Sequence, residues 1–404
     1  MTEFELTPKD VSVHLSQFIT NAEEQIRRGK RPSALCLEGA AGIAKTSLIK
    51  QIAEKHNYKI HQINTAMIDD LGILVGFPQR EFKFRLQDNV SWIPSELTDS
   101  YIAQGGIYEG ESRMSYAVPD WLKTIEPNEK FILLLDDFTR AMPTVMQASM
   151  TIVDEYKYAS WVLPKNTIIL LTTNPDDGQY NVTSLDIAQR TRFRYIKMKF
   201  SVDDWAAWAE SDDLDSRCIN FVISHPEVFK QDEGIGFGNK LNARSMTKFF
   251  YDIGALPDFS TKLAYVQEAG MGSVGEGFTR LFITFINNKL DKLPSPSDLF
   301  KGTLDEAIRK IKEVTGDHTQ AGNYNPARAS IISTRITNYV IYGNHDKWTR
   351  TENERVVGLI LSPVFSQDLK FAMAKKFKSS DAAAASSKLQ MIMQHPEIIK
   401  MIIK

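Results

Sequence analysis

Three short runs of residues carry types and spacings that can do chemistry. In Gly39-Ala40-Ala41-Gly42-Ile43-Ala44-Lys45-Thr46-Ser47, a loop of mostly small residues leads straight into a lysine and two hydroxyls. Such a loop can cradle phosphates. Its backbone N–H groups and the positive end of the following helix hold the oxygens, Lys45 neutralises the outer charges, and the Thr46 hydroxyl binds Mg²⁺. The pattern GxxxxGKS/T is met except at Ala44, which stands where a second glycine is expected. Taken alone, the loop also reads as a glycine turn that caps a helix. The second run argues against that. Phe131-Ile132-Leu133-Leu134-Leu135 is apolar throughout and runs into Asp136-Asp137, which puts two carboxylates at a strand end. Asp136 is expected to order the Mg²⁺ shell and Asp137 to polarise the attacking water. The third run, Thr167 to Thr172, ends at Thr173-Asn174-Pro175 and brings a polar amide to the outermost phosphate. Three strand ends converging on one ligand is what an open α/β sheet provides.

The elements that must position these residues follow from hydrophobic patterning. Ser33 to Glu38, Phe131 to Leu135 and Thr167 to Thr172 are continuous apolar runs, the pattern of strands buried on both faces of a parallel sheet, and Tyr195 to Phe200 is a fourth candidate. Thr46 to His56 reads as the helix after the loop, so the order strand, loop, helix opens an α/β domain. Upstream, Thr7-Pro8 begins a lead-in helix with Val11, Leu15, Phe18, Ile19, Ala22 and Ile26 at helical spacing. Between His61 and Glu129 the periodicity breaks into Gly, Pro and aromatic residues, which suggests functional loops and inserts. Beyond Phe200 the chain becomes helical, clearest at Asp203 to Glu210, Ser216 to Ser224, Ser245 to Ile253 and Gly277 to Leu290, and Leu293-Pro-Ser-Pro-Ser-Asp298 reads as a linker. The expected fold class is α/β: a P-loop parallel sheet with helices on both faces, followed by helical segments, which only the family resemblance of the motifs makes a helical lid, and an additional α-helical C-terminal domain. The expected division is residues 1–30 as lead-in helix, 31–200 as nucleotide-binding domain, 201–293 as the lid that the resemblance implies and 294–404 as C-terminal domain.

Composition narrows the function classes. With 404 residues, 43% hydrophobic and 24% charged, the chain is globular and long enough for two to three domains. Two cysteines exclude a disulfide framework and point to a reducing, cytoplasmic compartment. The N-terminus has neither a basic n-region nor an apolar h-region, and no apolar run reaches the length of a membrane span. A net charge of −2 disfavours nucleic acid as the main partner, although the chain is mildly basic from Pro296 onward. Gly343-Asn344-His345-Asp346 spells a metallophosphoesterase motif but lacks that class's other metal-ligand motifs.

The order of motifs resembles the AAA+ ATPases, and within them the MoxR-like group of CbbQ, NorQ and GvpN type. The resemblance rests on the loop ending Ala44-Lys45-Thr46, on Asp136-Asp137-Phe-Thr-Arg140-Ala141-Met-Pro143, on Thr173-Asn174-Pro175, on Arg192-Phe193 and on Asn242-Ala-Arg244-Ser. It covers roughly Ala34 to Leu290; no family resemblance accounts for the last hundred residues. It implies ATP and Mg²⁺ as cofactors, Asn174 as sensor 1, Arg192 as an arginine finger and Arg244 as sensor 2. It also implies a homo-oligomeric ring, six subunits in this group, acting on a client protein. Two residues depart from the group's pattern. Asp137 replaces a glutamate and shortens the reach of the water-activating carboxylate; Thr139 replaces the asparagine before Arg140. The alternatives are a nucleic-acid motor or loader and a nucleotide-gated scaffold with slow hydrolysis.

Overall fold

The computed structural model describes residues 5–177, 180–229, 241–317, 323–343, 350–379 and 391–403. The chain forms two compact units, residues 1–199 and residues 200–404.

The first unit is built on a six-stranded, wholly parallel sheet of β1 (Glu5–Leu6), β2 (Ala34–Glu38), β3 (Lys59–Asn64), β7 (Phe131–Asp136), β10 (Thr167–Thr173) and β11 (Phe193–Met198). Its spatial order is β1-β11-β2-β10-β7-β3. The three all-apolar runs of the sequence become β2, β10 and β7, the central strands, with every residue of β7 and β10 buried. Continuous apolarity is what burial on both faces requires. The fourth run is an inner strand, β11, between β1 and β2. The chain leaves β2 through α2 (Lys45–Lys55), passes over β10 and β7, and enters β3 at the far edge. Ligands bind beside such a reversal, at the carboxyl ends of the strands.

The lead-in helix α1 (Pro8–Arg27) begins as its sequence requires: Pro8 sits in the first turn and the Thr7 hydroxyl accepts from the Asp10 amide at 3.4 Å. It buries Val11, Leu15, Phe18, Ile19 and Ala22.

The stretch between His61 and Glu129 contains an antiparallel sheet of β4 (Pro78–Leu86), β5 (Asn89–Pro94) and β6 (Ile107–Tyr116), with β4 in the middle. One face carries Glu81, Lys83, Glu111 and Arg113, with Lys83 2.7 Å from Glu111 and Arg113 2.8 Å from Glu81. Arg113 also stacks over Trp92. Charged strands of this kind do not show the apolar runs by which β2, β7 and β10 are read.

The second unit is helical. Helices α8 (Val202–Ser211), α9 (Ser216–Ser224), α10 (Ala243–Gly254), α11 (Leu263–Ser273) and α12 (Glu276–Asn287) surround a phenylalanine-rich core that includes Phe221, Phe249, Phe250, Phe278 and Phe282. A second core forms around α13 (Pro296–Phe300), α14 (Leu304–Thr315), α15 (Pro326–Tyr342), α16 (Arg350–Leu361) and α17 (Gln367–Ser379). The stretch 293–298 is not an extended linker: Leu293, Ser295 and Pro296 are buried, and Ser295 caps α13. Arg335 of α15 is 2% exposed and reaches back to α8 and α9. Its guanidinium pairs with the Glu210 carboxylate, donates to the Ser216 carbonyl at 2.9 Å and donates to Asn220 Oδ1 at 2.8 Å. Among the described residues no helix is long and apolar enough to cross a membrane.

Candidate nucleotide site

The loop 39–44 leaves the carboxyl end of β2 and enters α2 without a capping side chain. Most helix starts satisfy their first amides with a neighbouring Ser, Thr, Asp or Asn; among the described residues no side chain caps α2 in this way, and an uncapped helix start is a place where an anion can bind. The loop's small residues have specific geometric reasons. A Cβ at Gly39 would lie 2.6 Å from the Met198 carbonyl oxygen, and Gly42 has φ +79°. Ala44 also adopts the left-handed conformation, at φ 71°. The missing second glycine has therefore changed the residue without changing the backbone, at a cost of about 1–2 kcal/mol.

Lys45 is buried. Its ammonium donates to the Gly39 carbonyl at 2.7 Å, the Ala40 carbonyl at 2.9 Å and Asn174 Oδ1 at 3.1 Å. Carbonyl and amide oxygens thus surround the cation where phosphate oxygens would compete for it. Thr46 Oγ1 donates to Asp136 Oδ1 across 2.9 Å, so the loop hydroxyl and the first strand-end carboxylate meet. Two hard oxygens this close suit Mg²⁺, which takes few protein ligands and completes its shell with water and substrate phosphate. Among the described residues no group of three His, Cys, Asp or Glu side chains could hold a metal by itself. A site of this type does not need one.

Asp136 is held from several sides. Gln62 donates to its Oδ2 at 2.6 Å, Thr172 donates to Oδ1, and Thr65 donates to its backbone carbonyl at 2.9 Å. The Thr172 hydroxyl also accepts from the Asp137 amide at 3.0 Å. β10 lies between β2 and β7, and its end therefore brings Asn174 to Lys45 and Thr172 to Asp136. Gln62, Thr65 and Thr172 were not among the expected site residues. The available signal was the polar end of a strand at 59–64, an edge strand whose alternating residues do not form a continuous apolar run.

Asp137 sits in the left-handed region at φ 54°, with Arg140 Nη1 3.4 Å from its Oδ2. That conformation suits Asp and Asn, whose short polar side chains bond locally. Thr139 is buried and its hydroxyl has no hydrogen-bond partner among the described residues. Arg192 lies elsewhere. It immediately precedes β11, whose first residue pairs with Ala34, so it sits at the amino edge of the sheet while the loop follows the carboxyl edge. Over the length of β2 that separation is about 15 Å at ~3.3 Å per residue. Its guanidinium pairs with Asp154 at 2.8 Å. Arg244 is in the second unit, exposed in the first turn of α10, where Asn242 and Ser245 form a capping box. Residues 344–346 of the metallophosphoesterase-like motif lie outside the described residues.

Residues 34–193 match the family described as AAA domain (dynein-related subfamily), and this segment is an AAA domain of that type. The parallel sheet and the loop after β2 give residues 34–193 the AAA+ fold, and the second unit is helical. No curated protein sequence matches the chain. Among solved structures, the RuvB Holliday junction branch migration motor of Thermotoga maritima is similar at 13% identity and a TM-score of 0.30, covering 78% of this chain and 85% of that one. Two variants of the same protein align with TM-scores of 0.36, at 13% identity over 78% of this chain and 87% of that one, and at 12% identity over 79% and 86%.

Proposed function

We propose that this chain is a MoxR-like AAA+ ATPase that couples ATP binding and hydrolysis, in a cytoplasmic ring of six subunits, to remodelling or activating a partner protein. The observation that carries this reading is the meeting of Thr46 and Asp136 beside buried Lys45, at the point where strand order reverses. In this reading Lys45 and the loop amides of residues 39–44 hold the phosphates, Thr46 and Asp136 hold Mg²⁺, and Asp137 and Asn174 orient the attacking water. Arg192 and Arg244 offset charge in the transition state, and bound Mg²⁺ would neutralise charge on the phosphate oxygens. Residues 201–293 act as the lid and residues 294–404 as an additional helical domain. The position of Arg192 favours a ring, since it stands far from its own loop and can serve only a neighbour's.

The test is steady-state ATP hydrolysis and nucleotide binding with Lys45→Ala. The expected result is loss of both in a variant whose circular dichroism and melting match the parent. Unchanged affinity and turnover would remove the assignment. A second reading, a nucleotide-gated scaffold that scarcely hydrolyses, is favoured by the short Asp137 side chain and its contact with Arg140. Parental turnover at the background rate, with intact nucleotide binding, would select it.

A further inference from the structure

Among the described residues, one amide of the 40–44 loop finds a side-chain acceptor: the Ala41 N–H donates to the Tyr180 hydroxyl at 3.1 Å. Tyr180 comes from the chain after Asn174, far from the loop in sequence. Its neighbourhood is anchored on the other side of the site, where the Val182 amide returns to the Tyr180 carbonyl at 3.0 Å and the Thr183 amide donates to the Thr139 carbonyl at 2.7 Å. Thr139 belongs to the turn Phe138–Arg140 that follows Asp137. The hydroxyl thus meets the phosphate loop, while the backbone three residues on is tied to the turn after the acidic strand end.

An amide N–H has one hydrogen to give. In a loop built to bind phosphate, that hydrogen is directed to a phosphate oxygen. A hydroxyl oxygen accepting from it stands where the anion's oxygen would stand, and the two exclude each other. We propose that Tyr180 is a displaceable plug of the phosphate loop: its hydroxyl closes the nucleotide-free site, and a nucleotide's phosphates enter by evicting it. The inference rests on the phosphate-loop reading and adds to it the regulation of that site. The competent, unplugged form is then a fraction of the molecules, and apparent affinity is reduced by that fraction. One net hydrogen bond shifts such an equilibrium by about 2- to 12-fold.

The experiment measures binding of a fluorescent ATP analogue by the full chain and by Tyr180→Phe, which keeps the ring and removes the hydroxyl. Tyr180→Phe should bind about 2- to 12-fold more tightly, with the gain in the association rate and the dissociation rate unchanged. Equal or weaker binding by Tyr180→Phe overturns the plug, as does a gain confined to the dissociation rate. Lys45→Ala, run in parallel, separates the two claims. If it binds the analogue as well as the parent, the phosphate-loop reading falls and the plug falls with it. If it loses binding while Tyr180→Phe shows no gain, the plug alone is wrong.

Discussion

The Arg192 guanidinium lies 2.8 Å from the Asp154 carboxylate, and this pair marks the edge of the sheet opposite the phosphate loop. Both side chains are near 40% exposed, so the pair is weak and readily exchanged for a stronger partner. An arginine finger contributes roughly 10³–10⁵ in rate when it reaches the outer phosphate of another subunit. Arg192→Ala and Lys45→Ala chains should each be nearly inactive alone. Mixed, they should recover part of the parental ATPase rate, because some interfaces then join an intact loop to an intact finger. Mixtures that assemble yet stay inactive at every ratio would assign Arg192 to another role.

Asp137→Asn keeps a residue that tolerates the left-handed backbone, so the strand end should be undisturbed. The carboxylate is lost, and with it the group proposed to polarise water. The expected outcome is ATP affinity within about 2-fold of the parent and turnover reduced about 10²-fold or more. Asp137→Glu restores the longer reach but places a less suitable residue in that conformation. It should bind ATP, with turnover equal to or above the parent. Hydrolysis by Asp137→Asn at the parental rate would dismiss Asp137 as the water-activating group.

Ala44→Gly relieves a left-handed backbone at a position where glycine has no Cβ penalty. The gain is offset by the greater freedom of glycine in the unfolded chain, leaving about 0.5–1 kcal/mol of added stability. For a unit of this size, that raises the melting midpoint by about 1–4 °C. Calorimetry on the two proteins decides it, and a lowered midpoint would mean that the alanine methyl makes a contact of its own.

Arg335→Leu removes the main partner of a carboxylate that is itself buried. Leaving Glu210 charged and unpaired should cost about 3–5 kcal/mol in the second unit, and Arg335→Leu with Glu210→Leu should recover more than half of that. Urea unfolding followed by tryptophan fluorescence reports the loss, since Trp205 and Trp208 belong to α8. Additive losses in the double variant would show that the two side chains do not act as a pair.

The sequence was legible where burial is symmetric and chemistry is compact. β2, β7 and β10 announce themselves because both faces are covered, and Lys45, Thr46, Asp136 and Asn174 stand at or just beyond the ends of those strands. Gln62 was hidden because β3 is an edge strand whose polar residues look like loop. Strands β4, β5 and β6 were hidden because their exposed charges have no apolar run to mark them. Tyr180 and the contact of Arg335 with Glu210 depend on residues more than a hundred positions apart, and no local pattern encodes such a meeting. Ala44 departs from the glycine pattern of the loop, whereas the backbone there is the one a glycine would take.

The buried guanidinium of Arg335 also bears on how this chain can have changed over time. A break at the Pro-Ser stretch 293–298 would leave Glu210 on one fragment and Arg335 on the other, each a charge parted from the ionic partner it is buried with. Recombination there would burden both products, so the helices on either side of that seam are expected to be inherited together, and a relative should carry both charges at positions 210 and 335 or neither.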